Sequence, residues 1–323
     1  MIADGKSRIK AVHPRARAVQ SVHLVETLLK GVRVGAHQVE CELGSTRTGV
    51  LYEVVHIVLP RRSVMKVAHS LPLGVQLLRE ACLVAAIQHP GMPIVFDSGV
   101  LPGGRPWFAI ERIDGDSLAE QQQLDAVQVA AIVRDVADIL AHAHRRGVFH
   151  LALRPYRILL TPNGRFPVSI PDWSMARTHD ALSSMSPLPP SAYDAPEVVR
   201  GEPVDGRADV FALGVIAYAA LSGVEPFADD TAYVPLRTRC PAAPPELTVL
   251  IDQMLAEDPS ERPTAAEVHG DLVELVVDVV ETPTAPVPMR MRKPRWTPPM
   301  TFAAVGPASD DEIEIDLDEA WVD

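Results

Sequence analysis

Cysteine is scarce in this sequence: Cys41, Cys82 and Cys240 lie far apart in 323 residues. That excludes a disulfide framework. Their apolar neighbours predict buried free thiols, which suits a reducing cytoplasm. Long apolar runs are also missing. The longest, Val210 to Leu221, is too short to cross a bilayer and reads as a buried helix, so no membrane span is expected. The basic residues near the N-terminus have no apolar core after them, so no signal peptide is expected. No internal repeat is visible. Positive charge is in deficit, with 30 Lys and Arg against 42 Asp and Glu. The imbalance is local, because residues 309–323 hold eight carboxylates and no Lys or Arg. The rest is close to neutral, which argues against nucleic acid or an anionic membrane as the main partner.

What is present is a full complement of apolar residues, 47% of the chain, enough for a large core. Residues 1–35 mix charges and small side chains, with one amphipathic turn at Val22 to Leu29, and are read as an extension. From Gln38 the pattern alternates like strands: V-E-C-E-L before Gly44, then Gly49 to Val55, then Ser63 to Ala68. Leu73 to Gln88 has helical spacing, with Leu77, Leu78, Ala81, Val84 and Ala85 predicted on one face and His89-Pro90-Gly91 as the stop. Strand signal returns at Ile94 to Val100 and Trp107 to Ile113 around the turn Pro102-Gly103-Gly104. After that the chain is helical. Asp125 and Gln128 have the spacing of a capping box before a stripe from Val129 to Ala143, and Gly147 suits the stop. Ala208 to Leu221 is apolar on nearly every side and is the expected central helix. Pro245 opens another helix, and Thr264 with Glu267 caps the last one. Beyond about Val280 the chain is proline-rich and then acidic.

Between these helices lies Val148 to Leu160, a polar knot clamped by apolar segments, as functional loops often are. Its text, H-L-A-L-R-P-Y-R-I-L-L from His150, resembles the H-R-D-L-K-P-x-N-I-L-L catalytic loop of protein kinases. Other motifs follow the same order. V-M-K-V resembles the strand-lysine motif, which implies Lys66 as the phosphate-binding lysine and Glu80, on the next helix, as its ion-pair partner. Ile110 falls at the gatekeeper position and Glu111 to Ile113 at the adenine hinge. Asp172-Trp173-Ser174 resembles D-F-G, and Ala195-Pro196-Glu197 matches A-P-E. Asp209 matches the anchor of the central helix, and Arg262 matches the arginine that pairs with the A-P-E glutamate. The resemblance runs from about residue 38 to 278 and is nearest to bacterial Ser/Thr kinases of the eukaryotic-like type. It implies an α+β, bilobal, protein-kinase-like fold: a β-rich lobe with one main helix over 36–113 and an α-rich lobe over 114–280. The proline-rich and then acidic composition of 281–323 is that of a disordered tail.

The departures concentrate where the chemistry would be. The general-base aspartate is Ala152, whose methyl group can neither accept nor orient a proton. The metal-binding asparagine is Arg157, a fixed positive charge where a divalent cation would coordinate. The glycine-rich loop is G-S-T-R-T-G: Gly44 and Gly49 remain, but Thr46 replaces the middle glycine. Trp173 and Ser174 replace the Phe and Gly of D-F-G, Pro189-Pro190 stands where Gly-Thr is usual, and the connection from Phe227 to Pro244 is short. The positions that hold the fold, His150, Asp209, Glu197 and Arg262, are retained.

The resemblance with these changes implies a pseudokinase, a regulatory or scaffolding module with a protein partner such as an active kinase or a signalling complex. No catalytic residue and no metal are expected, Asp172 being a ligand only if Mg²⁺ binds. Arg157 is expected to fill the metal site and pair with Asp172, or else to neutralise phosphates directly and permit ATP binding without Mg²⁺. The alternative is an atypical active Ser/Thr kinase that transfers the ATP γ-phosphate to protein hydroxyls. Three further features are weaker. His142 and His144, two apart on a helix, do not face each other and suggest no metal site. The hydroxyls of Thr178 to Ser191 are candidate phosphorylation sites. The tail holds a basic cluster, Arg290, Arg292, Lys293 and Arg295, and an acidic end that alternates with Ile313, Ile315 and Leu317; it reads either as a solubilising tail or as a recognition segment that adds to a sheet edge or folds back on the basic cluster.

Overall fold

Apolar residues, valine above all, recur along the segments from Val34 to Ile110, and these build a six-stranded antiparallel sheet. The computed structural model describes residues 27–122, 124–179, 191–227 and 233–280. The strands are β1 (Arg33–Val34), β2 (His37–Ser45), β3 (Gly49–His56), β4 (Arg62–Ala68), β5 (Val95–Val100) and β6 (Pro106–Glu111), in the spatial order β1-β2-β3-β4-β6-β5. One helix, α1 (Leu71–Ile87), follows β4. Its Leu77 and Ala81 pack on Ala68, Phe108 and Ile110 of the sheet. The opposite face buries Tyr52, Val54, Met65 and Trp107. Alternation along β4 sends Met65 and Lys66 to opposite faces, and this puts Lys66 on the α1 side.

The second lobe is helical: α2 (Ala126–His144), α3 (Pro196–Arg200), α4 (Arg207–Ser222), α5 (Leu236–Arg239), α6 (Pro245–Met254) and α7 (Ala265–Val280). Both capping boxes form. Asp125 accepts from Gln128 N at 2.8 Å while Gln128 accepts from Asp125 N at 3.0 Å. Glu267 accepts from Thr264 N at 2.7 Å. α4 is buried from Ala208 to Tyr218 and forms the middle of the core with α2, α6 and α7. Short ribbons line the junction of the lobes: β7 (Asp116–Ser117) with β9 (Leu159–Leu160) and β10 (Val168–Ser169), and β8 (Val148–Phe149) with β11 (Arg177–Thr178). The bilobal α+β architecture is the one the motifs imply. No helix among the described residues is long and apolar enough to cross a membrane.

Two expectations are corrected. The cysteines are free, but Cys41 and Cys82 are exposed and Cys240 is half-buried. A register shift between Val39 and Cys41 breaks the alternation of β2, so Cys41 turns outward two residues after a buried valine. On α1 the buried set is Gly74, Leu77, Glu80, Ala81, Leu83, Val84 and Ile87. Leu78 and Ala85 lie outside it with Cys82, because the sheet covers a narrower stripe than the apolar sequence offers. The turn from Val22 lies partly outside the described residues. So do Pro189-Pro190, most of the hydroxyl-rich segment and the whole tail.

Candidate functional site

β4, α1 and the loops after β8 and β10 converge at the junction of the lobes. Lys66 Nζ donates to Glu80 Oε2 at 2.6 Å, and both side chains are 3% exposed. Burial pushes the Glu80 carboxyl up to about 7, against the opposing charge of Lys66. Lys66 also stands 3.9 Å from Asp172 Oδ1. On the other side, Arg157 Nε lies 3.3 Å from Asp172 Oδ2. Burial alone would raise the Asp172 carboxyl. The charges of Arg157 and Lys66 and the hydrogen bond from Ser174 N, at 3.1 Å, outweigh it and hold the carboxyl far below the usual range. Asp172 therefore sits ionised between two cations.

Arg157 is not fully satisfied there. Its Nε and Nη1 are buried and have no hydrogen-bond partner, so the 3.3 Å approach is a contact of charges without hydrogen-bond alignment. Arg157 comes from the 3-10 turn Pro155–Arg157, which the proline starts. Ala152, five residues earlier, is buried and offers only a methyl group.

The loop itself is held from below. Asp209, at the start of α4, accepts from His150 N at 2.8 Å, from Leu151 N at 2.7 Å and from His144 Nε2 at 2.9 Å. Leu151 adopts φ +55°, a left-handed conformation that a leucine rarely takes, and the two N–H bonds to Asp209 fix it. The His150 ring lies edge-on to Trp173 with centroids 4.8 Å apart. Its Nε2 donates to Asp172 O at 2.9 Å and its Nδ1 accepts from Ala152 N at 3.3 Å. That pattern requires the neutral ring, and burial pushes its pKa down to about 4. Trp173 is 1% exposed and donates from Nε1 to Ile170 O at 2.8 Å. The aromatic of D-W-S is thus tucked into the core while its aspartate faces the cleft.

Further down, Arg262 and Glu197 form a bidentate pair at 2.7 and 2.9 Å. The remaining guanidinium donors reach the carbonyls of Ala256, Glu257 and Arg207. At the hinge, Glu111 is engaged with Arg165 and accepts from Ile94 N at 3.2 Å. Arg112 pairs with Glu53 at 3.3 Å and Asp114 at 2.9 Å. Ile110 is buried, and Ile113 lies in the irregular chain after β6.

The glycine-rich turn is tied shut. Thr46 Oγ1 donates to Gly49 O at 3.0 Å and accepts from Gly49 N at 3.3 Å, and Thr46 N donates to Gly49 O at 2.8 Å. His69 Nε2 contacts Thr46 O at 2.8 Å. Gly44 has φ +150°, while a Cβ on Gly49 would lie 2.3 Å from Val67 O. Gly49 is therefore required by sheet packing, whatever else it does.

The fit to a divalent cation is poor. Asp172 supplies one carboxylate, and two cations already face it. At about 4 Å and an effective dielectric near 20, Arg157 would repel a dication by about 8 kcal/mol as an upper bound. The buried, unpartnered donors of Arg157 fit an oxyanion better than a metal.

Several features escaped the motifs. His144 binds the anchoring aspartate, Leu151 carries the strained φ, and Arg165 straps Glu111. Leu151 stands among apolar neighbours, Ala152 and Leu153, and nothing local in the sequence marks its backbone conformation. The other partners are tens of residues apart.

The chain matches the family model described as protein kinase domain over residues 37–271. It is 35% identical over 231 residues to Serine/threonine-protein kinase Pkn1 of Myxococcus xanthus, with 68% of this chain and 33% of that one covered. It is 31% identical over 232 residues to Serine/threonine-protein kinase PknB of Mycolicibacterium smegmatis, covering 64% and 36%. With Serine/threonine-protein kinase PknL of Mycobacterium tuberculosis it shares 30% identity over 273 residues, covering 77% and 68%. The chain spans about a third of the length of the first two relatives. Among solved structures it is similar to the PknI kinase domain of Mycobacterium tuberculosis, at 28% identity and TM-score 0.60, covering 77% of this chain and 99% of that one. The autoinhibited serine kinase domain of the giant muscle protein titin, 20% identical with TM-score 0.64 over 75% of this chain and 81% of its own, shares the fold.

Proposed function

This chain belongs to the protein kinase family, and from that premise we propose that it is a catalytically silent member, a regulatory or scaffolding module that acts by binding a protein partner. The observation that carries the reading is Ala152 together with Arg157. A methyl group occupies the position of the base, and a guanidinium nitrogen stands 3.3 Å from the aspartate that would hold the metal. Loss of a positioned base alone is worth roughly 10²–10⁴ in rate. In this reading Lys66, Glu80, Asp172 and Arg157 form an electrostatic lock between the lobes. His150, Asp209, Glu197 and Arg262 keep the architecture that the partner recognises. Gly44, Gly49, Glu111 and Ile113 frame a nucleotide pocket with no place for Mg²⁺. Any ATP held there is held through Lys66 and the free donors of Arg157. The partner is an active kinase or a signalling complex.

A second reading, an atypical active Ser/Thr kinase, is favoured by the closed Lys66–Glu80 pair and by the names of the relatives. Back-substitution separates the two. The purified chain and the Ala152→Asp, Arg157→Asn variant are compared for phosphate transfer from ATP with Mg²⁺. The silent reading expects transfer to rise only in the variant. Equal transfer by both chains would favour the second reading.

A further inference from the structure

Three arginines from separate elements meet on the strand after D-W-S. Arg47, from the turn between β2 and β3, donates Nη1 to Met175 Sδ at 3.7 Å. Arg79, on α1, donates Nη2 to Thr178 Oγ1 at 3.0 Å. Arg177, on β11, donates Nη1 to the carbonyls of Met175 at 3.1 Å and Ala176 at 2.9 Å. Each partner is neutral. Arg154 and Arg262, by contrast, sit on Asp194 and Glu197. Among the described residues no carboxylate pairs with any of the three. Arg79 and Arg177 share a small cavity with Gln76, Glu80, Ser174 and Trp173. Glu80 does not compensate them, because it is bound to Lys66. Burial, and then the charges of Arg79 and Arg47, push the Arg177 guanidinium below its ordinary value. Convergent guanidiniums without a counter-charge form an oxyanion site.

We propose that Arg47, Arg79 and Arg177 form a docking site for the acidic end of this same chain, residues 310–323. Charge and reach both select that segment. That segment carries Asp310, Asp311, Glu312, Glu314, Asp316, Asp318, Glu319 and Asp323 and no cation. About thirty residues separate it from the end of α7, and a random coil of that length spans about 30 Å on average. A domain of this size has a radius of gyration of about 19 Å, so the site lies within reach. Tethering raises the local concentration of the segment into the millimolar range. Docked there, the tail ties the β2–β3 turn, α1 and the D-W-S strand together. It acts as an internal switch that a competing anion or salt would release. The inference does not depend on whether the chain transfers phosphate.

The test uses a fluorescent peptide of residues 310–323 and the full chain. In one variant, Asp310, Asp311, Glu312, Glu314, Asp316, Asp318, Glu319 and Asp323 are changed to their amides, which empties the site of its tethered competitor. Fluorescence anisotropy is expected to show the peptide binding this variant at least tenfold more tightly than the natural chain. Adding Arg79→Gln and Arg177→Gln should then cost at least tenfold. Adding Arg47→Gln, at an exposed position in the turn between β2 and β3, should weaken binding in the same direction even if the double change disturbs the fold. Unchanged binding in the arginine variants overturns the proposal. So does loss of binding on changing Arg290, Arg292, Lys293 and Arg295 instead, which would place the acidic end on the tail's own basic run. A site that binds inorganic phosphate through the three arginines but not the peptide also overturns it, and assigns the site to a phosphorylated ligand.

Discussion

Replacing Arg157 with Asn restores the family's residue at the metal position and tests the lock directly. The pair with Asp172 closes at 3.3 Å. At an effective dielectric near 20 its gross attraction is about 5 kcal/mol. Desolvation of two partly buried charges offsets most of that, so the net effect on fold stability is small. The effect on a dication is not offset in this way. Repulsion of about 8 kcal/mol is the ceiling, and relaxation of the arginine lowers it. Even a quarter of it, about 2 kcal/mol, is roughly 30-fold in affinity. The variant also frees Asp172, whose carboxylate is held ionised, as a ligand. Thermal unfolding is followed for both chains with ATP alone and with ATP and Mg²⁺. At a ligand concentration tenfold above its Kd the expected stabilisation is about 1.4 kcal/mol, or about 3–6 °C in Tm for a domain of this size. Arg157→Asn should show that shift only with Mg²⁺ present, and the natural chain should show no Mg²⁺-dependent component. A natural chain that shifts with Mg²⁺ as far as the variant would refute the idea that Arg157 excludes the metal.

Other consequences are as definite. His150 is buried and neutral with its pKa lowered to about 4 from 6.5, so the unfolded chain binds more protons between those values and stability falls as pH drops through that window. Urea unfolding should show the natural chain losing about 2 kcal/mol more than His150→Asn between pH 7 and pH 5; parallel losses would contradict the neutral buried ring. Arg262→Ala leaves Glu197 buried without a partner and should cost about 3–5 kcal/mol in the same assay. Arg262→Lys should recover only part of that, because one ammonium cannot replace the bidentate fork. Gly49→Ala forces a Cβ toward Val67 O and should destabilise by about 1–3 kcal/mol with or without nucleotide. A loss seen only as weaker nucleotide affinity would show that its role is in the pocket instead.

The elements whose signals are local were legible in the sequence. The D-x-x-Q and T-x-x-E boxes cap α2 and α7 where their spacing places them, and the all-round apolar run at Val210 is the buried helix α4. What depends on register or on long-range packing was not legible. One bulge in β2 turns Cys41 outward, and no pattern within the strand announces it. α1 is apolar almost all round, so periodicity could not say that Leu78 and Ala85 face solvent. At the site, the sequence motifs name Lys66, Glu80, Asp172 and Arg157, and the structure brings all four together. Arg47, Arg79 and Arg177 span 130 positions in the chain and become a cluster only when the turn, α1 and β11 meet.

The most direct test of catalytic silence is a time course of phosphate transfer from labelled ATP by the purified chain, beside Lys66→Met. Protein kinases turn over at about 1–100 per second. Loss of the base alone removes roughly 10²–10⁴ of that, and a blocked metal site removes more. Incorporation by the natural chain is expected to be indistinguishable from that by Lys66→Met at matched concentration. Incorporation that rises with time and disappears in Lys66→Met would contradict it.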